Sequence, residues 1–202
     1  MNYNIEVTEE LNKDSTIDYY NKNSSEFISR TIDVDMTEAY DNFLKLLPDG
    51  ARILDAGCGS GRDVKKFAEL GFAVSAFDAS EEMVKHATQY SGIEVQQLRF
   101  DQLEYKGEFD GVWACASLLH LRKDDFVSTF QNLVNALKSR GVIYVSLKQR
   151  ESNVPVGGRH FSYYSADEVN EIILDQPSLA LLDLWFGENE ACGWINLLAQ
   201  RL

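Results

Sequence analysis

The chain has 202 residues, 45% of them hydrophobic and 25% charged, with a formal net charge of −13; that length fits one domain with a sizeable core. Its 19 lysines and arginines are scattered rather than gathered on a basic face, which argues against a partner held through nucleic-acid phosphates. No apolar run approaches the roughly 20 residues of a membrane span, the N-terminus lacks the charged-then-apolar layout of a signal peptide, and three cysteines are too few and too dispersed for a disulfide framework or a zinc site. A cytoplasmic protein without membrane association or bound metal is expected, as a monomer or homodimer.

Residues 14–47 read as helical. Asp14 and Ser15 are candidate N-caps for a face made by Ile17, Tyr20 and Phe27, and a second helix carries Tyr40, Phe43, Leu44 and Leu47 before stopping at Pro48. Strand and helix signals then alternate. A strand over Ala51–Ala56 runs into a glycine-rich turn. Val64, Phe67, Ala68 and Leu70 share a helical face that ends at Gly71. Phe72–Phe77 is a second strand closed by Asp78, and Ser80 caps the next helix with Glu81 and Glu82 in its first turn. Ile93, Val95 and Leu98 suggest a third strand ending near Asp101, and Phe109–Cys115 a fourth. Phe126, Phe130, Leu133, Val134 and Leu137 recur at helical spacing, with Lys138 in the last turn and Gly141 beyond it. Val142–Leu147 is a fifth strand, Ser165–Glu168 a capping box, and Leu179–Phe186 with Trp194–Gln200 a final hairpin.

Strands separated by crossover helices predict a doubly wound, seven-stranded, mainly parallel α/β sheet. Ligands then bind beyond the carboxyl ends of the strands, where the strand order switches. The first such end reads Ile53–Asp63, ILDAGCGSGRD. Asp55, Gly57, Gly59 and Gly61 form an acid followed by alternating glycines, and a residue without Cβ lets the turn lie against a ligand. A dinucleotide-binding turn needs a final Gly or Ala where Arg62 stands. Asp55 suits the ammonium of a methionine moiety or a backbone network that holds the turn.

The series from Leu54 to Gly61 resembles the first motif of the class I methyltransferases that use S-adenosylmethionine (SAM). That resemblance implies a Rossmann-like methyltransferase fold, SAM as cofactor and S-adenosylhomocysteine as product. It implies a pocket built on Asp55, Gly57, Cys58, Gly59 and Gly61. Asp78 and Ala79 would meet the ribose, Asp101 and Gln102 the adenine, and Cys115 and Ser117 would leave room beside the transferred methyl. His120 in ASLLHL is either the general base on an acceptor hydroxyl or amine or a structural residue packed beneath the cofactor. GSGRD, ASLLHL, GGRHFSYYS and WINLLAQR are similar to segments of small bacterial methyltransferases that include tellurite-resistance-type members. By that likeness residues 1–48 form a helical cap on a methyltransferase domain over 49–202. Tyr20 and Arg30 of the cap close the cofactor pocket, and Arg159, His160, Tyr163 and Tyr164 line the acceptor side, with Gly157–Gly158 as a hinge. The mechanism implied is in-line methyl transfer to a small-molecule acceptor, chosen over nucleic acid because the acidic charge disfavours it and no Asn- or Asp-Pro-Pro-aromatic motif follows the fourth strand. A non-catalytic SAM-binding protein and a nicotinamide-dependent oxidoreductase are the rival readings.

Overall fold

A computed structural model describes residues 13–149, 158–188 and 193–202. Helices α1 (Lys13–Thr31) and α2 (Thr37–Leu44) precede β1 (Arg52–Ala56), α3 (Arg62–Glu69), β2 (Ala73–Asp78), α4 (Glu81–Ser91), β3 (Val95–Gln97), β4 (Phe109–Ala114), α5 (Lys123–Ala136), β5 (Leu137–Gln149), α6 (Ala166–Leu174), β6 (Leu179–Glu188) and β7 (Gly193–Arg201). The seven strands form one sheet in the order β3-β2-β1-β4-β5-β7-β6. β7 runs antiparallel to both β5 and β6, and the other neighbouring pairs are parallel. The sheet is therefore mixed, with β7 as its reversed member. The chain leaves β1 toward β2 on one side and returns to β4 on the other, so the switch in strand order lies between β1 and β4.

Alternate residues of the strands feed opposite faces, as strand geometry requires. Leu54, Val112 and Ile143 face the side covered by Phe126, Phe130 and Leu133 of α5 and by Val169 and Ile173 of α6. Ile53, Trp113 and Tyr144 face the side covered by Tyr40 and Phe43 of α2 and Phe67 of α3. Trp113 stacks on Tyr144 with ring centroids 4.0 Å apart. Phe43 is fully buried beneath it, so α2 is seated in the core rather than laid over it.

Asp63, in the first turn of α3, ties these parts together. Its Oδ1 accepts from the Tyr40 hydroxyl at 2.5 Å and from Arg62 Nε at 2.6 Å. Its Oδ2 accepts from Trp113 Nε1 at 2.8 Å and from Arg62 Nη2 at 3.0 Å. Arg62 also donates through Nη1 to the Thr31 carbonyl at the end of α1, at 3.1 Å. One carboxylate thus joins α2, α3 and β4, and its arginine partner adds α1.

The boundaries differ from the sequence pattern in three places. α5 stops at Ala136, and Lys138 lies in β5, where it pairs with Asp110 at 2.8 Å. Arg201 of β7 donates instead to the carbonyls of Val134 and Asn135 in the last turn of α5 and to that of Leu137 just beyond it; a distant guanidinium fills the role assigned to a local lysine. β3 is only Val95–Gln97, and the chain closes at Phe100–Gln102 in a 3₁₀ turn. Asp14 and Ser15 lie inside α1 rather than capping it. β6 forms one edge of the sheet, and its pairing with β7 slips between Leu181 and Asp183.

Removing Asp63 leaves the Arg62 charge buried without its partner, a change that costs roughly 3–5 kcal/mol in comparable sites. Asp63→Ala is expected to lose stability of that order in urea denaturation, and Tyr40→Phe about 1 kcal/mol.

Candidate active site

The tips of β1, β2 and β4, together with α1 and the start of α2, enclose a cavity of about 1250 Å³. That volume exceeds the roughly 300–1,000 Å³ usual for one small ligand, so there is space for two. The glycine turn forms its floor. Gly57, Gly59 and Gly61 have φ of 79°, 52° and 78°, a region other residues rarely enter. A Cβ on Gly57 would fall 2.6 Å from Ser117 Cβ and 3.4 Å from Phe100. At Gly61 it would fall 2.8 Å from Ala87, so that glycine serves close packing of the turn on α4.

The amides of Gly57, Cys58, Gly59 and Gly61 are committed within the protein. Gly57 and Cys58 both donate to the Phe77 carbonyl, each at 3.0 Å, and Gly59 donates to Asp78 Oδ2 at 2.9 Å. They do not fan outward as a diphosphate cradle requires. Asp78 Oδ1 accepts from the Ser80 amide at 2.9 Å. Each carboxylate oxygen keeps further acceptor capacity, and Asp78 lines the cavity. Burial raises its pKa above the ordinary carboxylate value, against the pull of the backbone amides; such a group gains from additional donors. Ser117, packed against Gly57 of the turn, has a buried hydroxyl oxygen with no hydrogen-bond partner.

The other expected positions divide. Tyr20, Arg30, Cys58, Ala79, Asp101, Cys115, His120, Arg159, His160 and Tyr163 also line the cavity. Arg30 and Asp101 do so from its exposed rim, where Asp101 pairs with Arg99 at 3.3 Å. Asp55, Gly61, Gln102 and Tyr164 do not line it. Asp55 is buried beside Asp63 and Arg62, and burial lifts its pKa well above the usual value, the nearby Asp63 charge adding to the rise. The Gln102 side chain caps its own 3₁₀ turn by accepting from the Arg99 amide at 3.0 Å. Tyr164 turns away from its neighbour Tyr163 and packs on Phe126, with the rings 5.1 Å apart, because successive residues of an extended segment face opposite ways. Gly157 lies outside the described residues. Lys148, Phe161, Trp185 and Trp194 line the cavity and are absent from the sequence-derived set. The only available signal was the position of Lys148 at the carboxyl end of an otherwise apolar strand.

His120 is held on both ring nitrogens. Nδ1 lies 2.8 Å from the His160 carbonyl, and Nε2 lies 2.8 Å from the Tyr20 hydroxyl. A carbonyl only accepts, so Nδ1 carries the proton, and the Nε2 lone pair receives the Tyr20 O–H. Burial, more than the neighbouring Arg159 and Lys148 charges, drives the His120 pKa down to about 3. Burial likewise raises Tyr20 to about 12, although Arg159 opposes the shift. Helix α1 is further fastened to the cavity wall by Ser80 Oγ donating to Asn21 at 2.8 Å, and by the His160 amide donating to Thr16 at 3.0 Å.

These features define a Rossmann-like methyltransferase fold: the strand order, the reversed β7, the glycine turn on β1 and the acid closing β2. Residues 53–141 match the family described as methyltransferase domain. A stretch of 104 residues is 38% identical to YqeM of Bacillus subtilis, a protein named as a methyltransferase, covering 48% of this chain and 42% of that one. A stretch of 113 residues is 34% identical to the ubiquinone biosynthesis O-methyltransferase of Xanthomonas axonopodis pv. citri, covering 52% and 46%. The matched part thus spans less than half the length of these curated relatives. In three dimensions the chain is similar to Burkholderia thailandensis 1,6-didemethyltoxoflavin-N1-methyltransferase, solved with 1,6-didemethyltoxoflavin and S-adenosylhomocysteine bound. The TM-score is 0.78 at 20% identity, over 95% of this chain and 87% of that one. Among the described residues no helix is long and apolar enough to cross a membrane.

His120 has a pKa lowered in the folded state, so its contribution to stability is fully present above about pH 6.5 and is lost as pH falls from there toward 3. A His120→Gln variant should therefore lose less stability than the wild-type chain between pH 7 and pH 5. The difference is up to about 1.4 kcal/mol per pH unit, read from urea midpoints at each pH.

Proposed function

We propose that the protein is a SAM-dependent methyltransferase acting on a small-molecule acceptor, with residues 1–48 as a cap over the domain formed by 49–202. The observation that carries this reading is the turn itself. Gly57 leaves no room for a side chain against Ser117 and Phe100, the amides of Gly57, Cys58, Gly59 and Gly61 are spent inside the protein, and Asp78 faces the cavity with acceptor capacity to spare. The residues present fit SAM: Asp78 would hold the ribose hydroxyls, Asp101 and Phe100 the adenine, the Gly57–Gly59 turn and Arg30 the methionine end, and the Ser117 hydroxyl one further polar group. When bound, the cofactor supplies an electrophilic methyl on a sulfonium. The quoted segments GSGRD, ASLLHL, GGRHFSYYS and WINLLAQR support a place among small bacterial methyltransferases of the tellurite-resistance type.

The chain's own work is to bind, align and exclude water. Tyr20 closes the cavity from α1, and His120 fixes its hydroxyl. For an acceptor with an O–H or N–H, the proton leaves through the Tyr20 hydroxyl, whose own proton passes to His120 Nε2. A weak base suffices for that step, since the acceptor atom becomes far more acidic as its new bond forms. His120 thus acts through Tyr20, because its lone pair is already engaged.

Calorimetric titration with S-adenosylhomocysteine and with NADH separates this reading from an oxidoreductase: binding of the first alone is expected, and binding of NADH alone overturns it. Asp78→Asn should weaken S-adenosylhomocysteine by about 1.5–3 kcal/mol, the range for hydrogen bonds to a charged group; unchanged affinity would remove Asp78 from the pocket. Tyr20→Phe and His120→Ala should both lower turnover while S-adenosylhomocysteine stays bound.

A further inference from the structure

The acceptor compartment has a composition unlike the rest of this acidic chain. Arg159 enters it from the segment between β5 and α6. Its guanidinium carbon lies 4.5 Å from the centroid of Tyr19, 4.8 Å from Phe161 and 5.9 Å from Tyr20. Among the described residues it meets no carboxylate, and its Nε is buried without a hydrogen-bond partner. The other arginines around the cavity include Arg62, bound to Asp63, Arg30, near Glu26, and Arg99, near Asp101. Lys148 stands on the same side, 4.1 Å from the Phe161 centroid and 5.7 Å from that of Trp194. Both cations bear on His120 from close by. The remaining walls here are aromatic: Phe161, Tyr163, Trp185 and Trp194.

The Arg159 side chain is half-buried, and its Nε is the buried donor left without a partner, which a ligand acceptor would complete. The guanidinium fork matches a carboxylate bidentately, and surrounding ring faces suit a planar apolar body. We propose that this compartment takes an aromatic carboxylic acid, with its carboxylate on Arg159 and its ring among Phe161, Tyr163, Trp185 and Trp194. This deepens the methyltransferase reading and rests on it only for the statement that the bound acid is the methyl acceptor. The carboxylate anchors the molecule, and the atom to be methylated lies elsewhere on the ring, toward the Tyr20 hydroxyl.

The test uses 2-naphthoate and its neutral isostere 2-naphthamide, titrated calorimetrically into the full chain with and without saturating S-adenosylhomocysteine. The wild-type chain is expected to bind the acid at least about tenfold more tightly than the amide, as one charge-assisted pair warrants. Arg159→Gln should abolish that preference while leaving the amide and S-adenosylhomocysteine affinities unchanged. Equal binding of acid and amide by the wild-type chain would overturn the proposal, and this comparison needs no variant to fold. Loss of S-adenosylhomocysteine binding in a folded Arg159→Gln chain would also overturn it, by assigning the arginine to the cofactor. A wild-type chain that prefers the acid but binds no S-adenosylhomocysteine would keep the anion site and sink the methyltransferase reading instead.

Discussion

The arrangement depends on the carboxylate of Asp63. It collects hydrogen bonds from Tyr40, Trp113 and Arg62, and through Arg62 it reaches the carbonyl of Thr31. A buried charge with this many donors is satisfied where an isolated one would not be. Because the donors come from α2, β4 and the start of α3, neither α2 nor the end of α1 can shift without breaking the support of the glycine turn. The cavity's floor and one of its walls are thereby fixed to the same atom pair.

Around that anchor the polar groups of the cavity are sorted by how fully they are satisfied. The amides of Gly57, Cys58 and Gly59 and both nitrogens of His120 are matched within the protein. Ser117 Oγ and Arg159 Nε are not, and Asp78 is matched only in part. The incompletely satisfied groups lie on two sides of the cavity, consistent with two ligands meeting near Tyr20. The division is a physical one: a native interior leaves few buried polar atoms unpaired, so those that remain carry information.

Much of this was legible in the sequence. Alternating apolar strands and crossover helices gave the layers, and the glycine series with Asp78 located the turn at the switch in strand order. Parity was harder to read. Tyr163 and Tyr164 look equivalent in GGRHFSYYS, yet an extended backbone sends one into the cavity and the other under α5. Arg62 reads in sequence only as a missing small residue, and Asp63 only as an acid in a helix's first turn; their roles depend on Tyr40, Thr31 and Trp113, remote in the chain. Arg201 illustrates the same limit, since nothing near Lys138 announces that β7 will close α5. Asp55 and Gln102 carry the right chemistry at the right strand ends, but neighbours claim them or burial removes them.

The slip in pairing at Leu181–Asp183 has a consequence for life in a crowded solution. β6 is an outer strand with Leu181, Leu182 and Phe186 exposed, the kind of border on which another chain's strand could be templated. A bulge interrupts the even spacing of free amides and carbonyls, and an outward Asp183 sets a charge beside the interruption. A foreign strand arriving there finds no continuous ladder to extend, so the protein carries its own guard against edge-to-edge aggregation.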